Sequence, residues 1–271
     1  MTRRLSRLAL PALCLALILA GGVVQAANPA PAPAPTMQTI GLIGGVSWVS
    51  SAEYYRLMNQ MVQDRLGGLH SAQVLMFSIE FGEFSQQERL ADRGDWAPLR
   101  QTMLDAARRL RRGGADFVVI ASNTLNSQAE LIESQVGLPV LHIADATGAA
   151  VQKAGLKTVA LLGTSYTMEQ PFYRERLARH GVKVVTPDAQ ERAYINAVIF
   201  DELCAGRFRP ESRHGFVNII ERLAKEGGAQ GVILGCTEIP LLVRQADVSI
   251  PVFDTTAIHS DAAVRRALAG K

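Results

Sequence analysis

Two segments of the chain set a polar, reactive side chain immediately after an apolar run. In QGVILGCTE (Gln230–Glu238), Cys236 follows a strand-like stretch and Gly235 lets the backbone turn before Thr237 and Glu238 open a further helix. A thiol at a helix N-terminus feels the positive end of the dipole, which lowers its pKa from a free value of about 8.5 and favours a thiolate able to take a proton or attack carbon. In DFVVIASNT (Asp116–Thr124), the corresponding position is Ser122. A serine hydroxyl is too weak an acid to be held as an anion at neutral pH, so Ser122 donates a proton or positions a water that does. Cys204 closes the helical stretch Ile195–Cys204 among apolar neighbours and reads as core packing.

The elements that would carry these groups alternate between short β-branched runs and longer amphipathic segments, the pattern of βαβ units around parallel sheets buried on both faces. The fold class is α/β. Strands are expected at Thr39–Ile43, Gln73–Ser78, Phe117–Ala121 and Val140–Ile143, then at Thr158–Leu162, Lys183–Val185, Gly231–Leu234 and Val252–Phe253. Helical periodicity covers Ser51–Leu66, Pro98–Arg112, Met168–His180, Glu191–Cys204 and Ser212–Lys225. The second half repeats the first: TIGLIGG (Thr39–Gly45) answers to TVALLGT (Thr158–Thr164), and the Ser122 segment answers to the Cys236 segment at a comparable offset. Two similar lobes, each a mainly parallel sheet flanked by helices, would then bring Ser122 and Cys236 to opposite walls of one cleft, at the carboxyl ends of strands where such sheets bind ligands. The expected division is 37–150 plus 255–271 for the first lobe and 151–254 for the second, with hinges near Ala146–Lys157 and Phe253–Ile258 and the C-terminal helix, from about His259, packing back on the first lobe.

The chain has 271 residues, 48% hydrophobic and 20% charged, ordinary globular usage. Its net charge of +3 is concentrated at the start, where Arg3, Arg4 and Arg7 precede any acidic residue. Without those three, basic and acidic residues balance, and a nucleic-acid partner loses its support. Residues 1–26 have the layout of a secretory signal: a basic start, an apolar run from Leu8 to Ala20 and small residues at Val24 and Ala26. Cleavage after Ala26 is expected, giving a periplasmic protein with no membrane association. Residues 27–36, with the run NPAPAPAP, form an Ala/Pro-rich linker in extended geometry. Two cysteines in the mature chain are too few for a disulfide scaffold.

IGLIGGVSWVSSAEYYRLMN (Ile40–Asn59), LHIADAT (Leu141–Thr147), LLGTSYTMEQPFYRERL (Leu161–Leu177) and GCTEIPLL (Gly235–Leu242) occur in one order that resembles the cofactor-independent aspartate/glutamate racemase family. The resemblance implies two homologous lobes, an active site between them with no cofactor or metal, two opposed cysteines exchanging the Cα proton of a small acidic amino acid, and a homodimer. It also implies substrate binding at Val46, Asn123, Thr124, Thr237 and Glu238. The family's first site reads Cys-Asn-Thr followed one residue later by His; here it reads Ser122-Asn123-Thr124-Leu125-Asn126. The closest pattern is the branch with a hydroxyl residue at the first site that acts on L-aspartate and L-glutamate, with Cys236 removing the proton and Ser122, directly or through water, returning one. A single-cysteine decarboxylase or dicarboxylate isomerase of the same superfamily, and an exported binding protein for acidic amino acids, are the alternatives.

The remaining residues mainly exclude chemistry. Gly41, Gly44 and Gly45 do not reproduce the dinucleotide spacing, so no nucleotide is expected. His142 and His259 read as structural hydrogen-bonding residues, the latter despite Asp254 nearby. No two histidines lie at i, i+4 around a glutamate, and no metal site is expected.

Overall fold

The computed structural model describes residues 37–270. The expected signal segment 1–26 and the linker 27–36 lie outside the described residues. Strands β1 (Ile40–Gly44), β2 (Val74–Ser78), β3 (Phe117–Ile120) and β4 (Val140–Leu141) form one parallel sheet in the order β2-β1-β3-β4. Strands β5 (Thr158–Gly163), β6 (Lys183–Val185), β7 (Val232–Gly235) and β8 (Val252–Asp254) form a second in the order β6-β5-β7-β8. The two orders are the same permutation, so the repeat seen in the sequence is a repeat of topology, β3 corresponding to β7.

Each central strand is buried on both faces, and successive residues go to opposite ones. In the second sheet, Ala160, Leu162, Val232 and Leu234 face helices α8 (Ala189–Asp201) and α9 (Pro210–Lys225), while Val159, Leu161 and Ile233 face α5 (Ile143–Lys153) and α7 (Pro171–Arg179). In the first sheet, Ile43, Val118 and Ile120 face α2 (Phe81–Asp92), α3 (Ala97–Arg112) and α4 (Ala129–Val136). Ile40, Leu42, Phe117 and Val119 face α1 (Trp48–Leu66) and α11 (Thr255–Leu268), which packs Ala263, Val264 and Ala267 beside Tyr54 and Met58. Local chemistry starts these helices where it should. Asp188 and Glu191 form a reciprocal capping box at α8, and Asp254 accepts the Thr256 and Ala257 N–H groups at the start of α11.

The structure corrects three expected boundaries. The helix expected over Met168–His180 is two, α6 (Ser165–Glu169) and α7, because Pro171 drives the preceding Gln170 into extended geometry (φ −72°, ψ 148°). The stretch Glu191–Cys204 likewise ends its α-helix at Asp201 and continues as a short 3-10 turn over Leu203–Ala205. Ile143 opens α5 instead of closing a strand, since the His142 ring nitrogen Nδ1 accepts the Ala144 N–H at 3.1 Å and caps the helix. The two segments read as flexible hinges are therefore largely helical, in α5 and the first turn of α11.

Candidate active site

Strand register fixes the two reactive positions. Ile43 of β1 pairs with Ile120 of β3, and Leu162 of β5 pairs with Leu234 of β7; Gly44 and Gly163 follow in the first strand of each pair. Ser122 and Cys236 each lie two residues beyond the paired strand residue, so they occupy equivalent places in the two halves. Both line one cavity of about 230 Å³ at the carboxyl ends of the strands. Ser122 and Cys236 are 9% and 7% exposed.

All the expected binding residues, Val46, Asn123, Thr124, Thr237 and Glu238, line the same cavity. Their partners separate their roles. Asn123 precedes a 3-10 turn (Thr124–Gln128) but makes no cap bond with its side chain. Its Nδ2 donates instead to Thr255 Oγ1 at 3.0 Å, and its Oδ1 is buried without a hydrogen-bond partner. Thr124 Oγ1 lies 3.0 Å from Thr164 Oγ1 and 3.1 Å from Thr167 Oγ1, bridging the end of the first sheet to the end of the second.

Glu238 is 2% exposed, and both of its carboxylate oxygens accept hydrogen bonds. Its Oε1 accepts from the Ser47 hydroxyl at 2.7 Å, and its Oε2 accepts from Thr237 Oγ1 at 2.8 Å and from the Cys236 thiol at 3.1 Å. This overturns the expected low thiol pKa. Burial pushes the Cys236 thiol well above its ordinary value, and the Glu238 carboxylate pushes it further. The helix that follows, α10 (Ile239–Leu242), is a single turn, too short for a dipole that would offset those effects. Gly235 does not turn the chain: it is the last residue of β7, and a Cβ there would lie 2.9 Å from Leu162 O, so its role is to let the strands approach beneath Cys236.

Asn126, where the family pattern has histidine, ties down backbone. Its Nδ2 donates to Ser122 O at 2.6 Å and its Oδ1 accepts from Ile143 N at 3.1 Å. His259 is a structural residue: Nε2 donates to Leu141 O at 2.7 Å, which leaves Nδ1 to accept from Tyr54 Oη at 3.0 Å, and Asp254 is occupied at the cap of α11. Among the described residues no cluster of His, Cys, Asp and Glu is arranged to hold a metal ion.

Sequence reasoning missed part of the wall. Phe81 and Glu88 come from α2, Trp96 from just before α3, Tyr166 from α6, and Asn196 and Phe200 from α8; Cys204, read as core, also reaches the cavity. The repeat held the signal, since α2 and α8 each follow the second strand of their half, and Thr164 ends the block that repeats TIGLIGG.

Residues 43–263 match the family model described as Asp/Glu/hydantoin racemase. A broad specificity amino-acid racemase of Bacillus subtilis is 26% identical over 177 residues, 65% of this chain and 75% of the relative. A Yersinia pestis structure provisionally described as an Asp/Glu racemase is 47% identical and covers 86% of this chain and 100% of its own, with a TM-score of 0.78. An aspartate racemase homologue from Pyrococcus horikoshii is 33% identical, covering 85% of this chain and 99% of its own, with a TM-score of 0.74.

Proposed function

Because the chain belongs to the Asp/Glu/hydantoin racemase family, whose characterised relatives are isomerases, we propose that it interconverts the enantiomers of a small free amino acid by exchanging the α-proton between Cys236 and Ser122, without a cofactor. The observation that carries this reading is the equivalence of the two residues in register, at one cavity. The substrate ammonium enters beside Glu238, and the α-carboxylate takes backbone N–H groups at the turns after β3 and β7, next to Asn123 and Thr237. That cation offsets the electrostatic penalty on the thiol: as the ammonium comes against Glu238, Cys236 releases its proton to water before the cavity closes, and the thiolate then takes the Cα proton of the L-enantiomer, leaving the electron pair on Cα. Ser122, directly or through a water it positions, returns a proton to the opposite face of Cα, and solvent re-protonates that hydroxyl or water as product leaves. Exclusion of water as the cavity fills strengthens each of these contacts on the developing carbanion.

Acidic side chains follow from the hydroxyl-bearing branch that the sequence resembles, whereas the Bacillus relative's broad specificity supports a wider range. The test is α-proton exchange in D₂O, followed by NMR for each enantiomer of several amino acids. The expected result is exchange from the L-form that Cys236→Ala abolishes. Ligand binding without exchange in the wild-type protein would leave a binding protein, and a new product would identify a decarboxylase or dicarboxylate isomerase. We further propose export to the periplasm, supported by the basic-then-apolar composition of residues 1–26; a mature mass retaining Met1 would count against it.

A further inference from the structure

The cavity wall has two chemically different parts, supplied by different elements. Ser122, Asn123, Thr124, Thr237 and Glu238 sit just past the ends of β3 and β7, whereas Phe81, Ala91, Trp96 and Leu99 come from α2 and the start of α3. Those four belong to one continuous hydrophobic cluster of the first half. From the second half α8 adds Ile199 and Phe200. Asn196, one turn before Phe200 on α8, is polar, but its Oδ1 already accepts from Ser165 N at 2.9 Å. The Trp96 and Tyr166 rings, with centroids 5.3 Å apart, join the start of α3 to α6 of the other half.

Every amino acid brings the same ammonium and α-carboxylate to the residues at the strand ends, so the helical part of the wall is what distinguishes side chains. Among the described residues that line the cavity there is no lysine, arginine or histidine. A side-chain carboxylate would therefore leave water for aromatic and aliphatic carbon with no cation to pair with it, which is costly. A cationic side chain loses its hydration in the same way, and both wall carboxylates are committed: Glu238 to Ser47, Thr237 and Cys236, and Glu88 to an interaction within the protein. A neutral apolar side chain has no such cost and gains the transfer of its surface out of water.

We propose that Phe81, Leu99, Ile199 and Phe200 form a side-chain subsite that selects a neutral, apolar amino acid such as leucine or methionine. This subsite rests on the racemase reading of the same cavity, and binding separates the two. Phe200 is the residue to vary, because it borders the cavity yet is 45% exposed and lies outside the buried core. Calorimetric titration of the purified protein with L-leucine, L-glutamate and L-lysine is expected to show leucine bound about tenfold more tightly than either charged amino acid, with a negative heat-capacity change. Phe200→Ala and, from the other half, Phe81→Ala are each expected to reduce that preference about threefold. Phe200→Arg, which places a cation in the wall, turns it toward glutamate. Glutamate or lysine bound as tightly as leucine by the wild-type protein overturns the proposal, as does a leucine preference that neither alanine variant reduces. Selective leucine binding without α-proton exchange upholds the subsite and refutes racemisation, whereas exchange of glutamate with no preference for leucine does the reverse; binding of none of the three overturns both.

Discussion

The Ser47 hydroxyl donates to the Glu238 carboxylate across 2.7 Å, joining the loop after β1 of the first sheet to the loop after β7 of the second. Both residues are buried, so the bond fixes how the two halves of the cavity wall meet. Ser47→Ala leaves Oε1 of a buried carboxylate short of a donor. The expected cost is about 1–3 kcal/mol in denaturant unfolding, with a larger fractional loss of turnover than of stability. A variant with unchanged stability and unchanged turnover would show that this bridge does not organise the site.

The same carboxylate holds the Cys236 thiol in its protonated form. Burial is the larger cause of the raised pKa and Glu238 the second, so Glu238→Gln is expected to lower the thiol pKa without restoring the ordinary value. The pH dependence of iodoacetamide alkylation measures this, in a Cys204→Ala background that removes the second thiol lining the cavity. A midpoint unmoved by Glu238→Gln would mean that the carboxylate does not control the thiol.

Three threonines carry a second link between the halves. Thr124, Thr164 and Thr167 hydroxyls lie 3.0–3.2 Å from one another, two from the second half and one from the first. Thr124→Val and Thr164→Val are expected to be non-additive in stability, with a coupling of about 0.5–1.5 kcal/mol. Additive losses in the double-mutant cycle would show that the hydroxyls do not act as one network.

The strands were legible because both central strands of each sheet are buried on two faces and leave uninterrupted apolar runs, as in FVVI of β3 and VILG of β7. The reactive pair was legible for the same reason, since its members directly follow those runs. Less visible was α2. Its cap is the Glu80 side chain, which accepts from Gly82 N and Glu83 N, and its sequence, FGEFSQQERLAD, has few apolar residues because one face borders the cavity instead of core. Glu88 was lost with it. The thiol pKa was misjudged because a local rule, the helix dipole, was applied where a contact two residues away, Cys236 to Glu238, and burial decide the sign.

Gly235 tests how tightly strand packing holds the reactive sulfur. A Cβ there would lie 2.8 Å from Leu161 Cδ1 and 2.9 Å from Leu162 O, and the second of these is backbone that cannot swing aside. Gly235→Ala is therefore expected to cost about 1–3 kcal/mol and to lower turnover sharply, since the adjoining residue is Cys236. Gly228→Ala is the control: that turn is open but has φ +66°, so it loses stability through backbone strain with no effect on turnover of the folded enzyme. Equal turnover in the two variants would refute the coupling of strand spacing to the site.

His259 predicts the acid limit of the fold. Its ring is buried between Tyr54 and Leu141, and desolvation brings its pKa down to about 4 from an ordinary 6.5. Between those values the unfolded chain binds a proton that the folded chain refuses, so stability is fully present above pH 6.5 and declines as pH falls toward 4. A shift of this size corresponds to about 3 kcal/mol for the single residue. His142, buried and held at about 3 mainly by desolvation, adds to the same slope. His259→Asn removes the titration and keeps a donor for Leu141 O. It is expected to be less stable than wild type at pH 7, because it fills less of the space beside Tyr54, and to lose less stability between pH 6.5 and pH 4. Parallel stability–pH curves for the two proteins over that interval, measured by chemical denaturation, would show that the buried imidazole does not set the acid sensitivity.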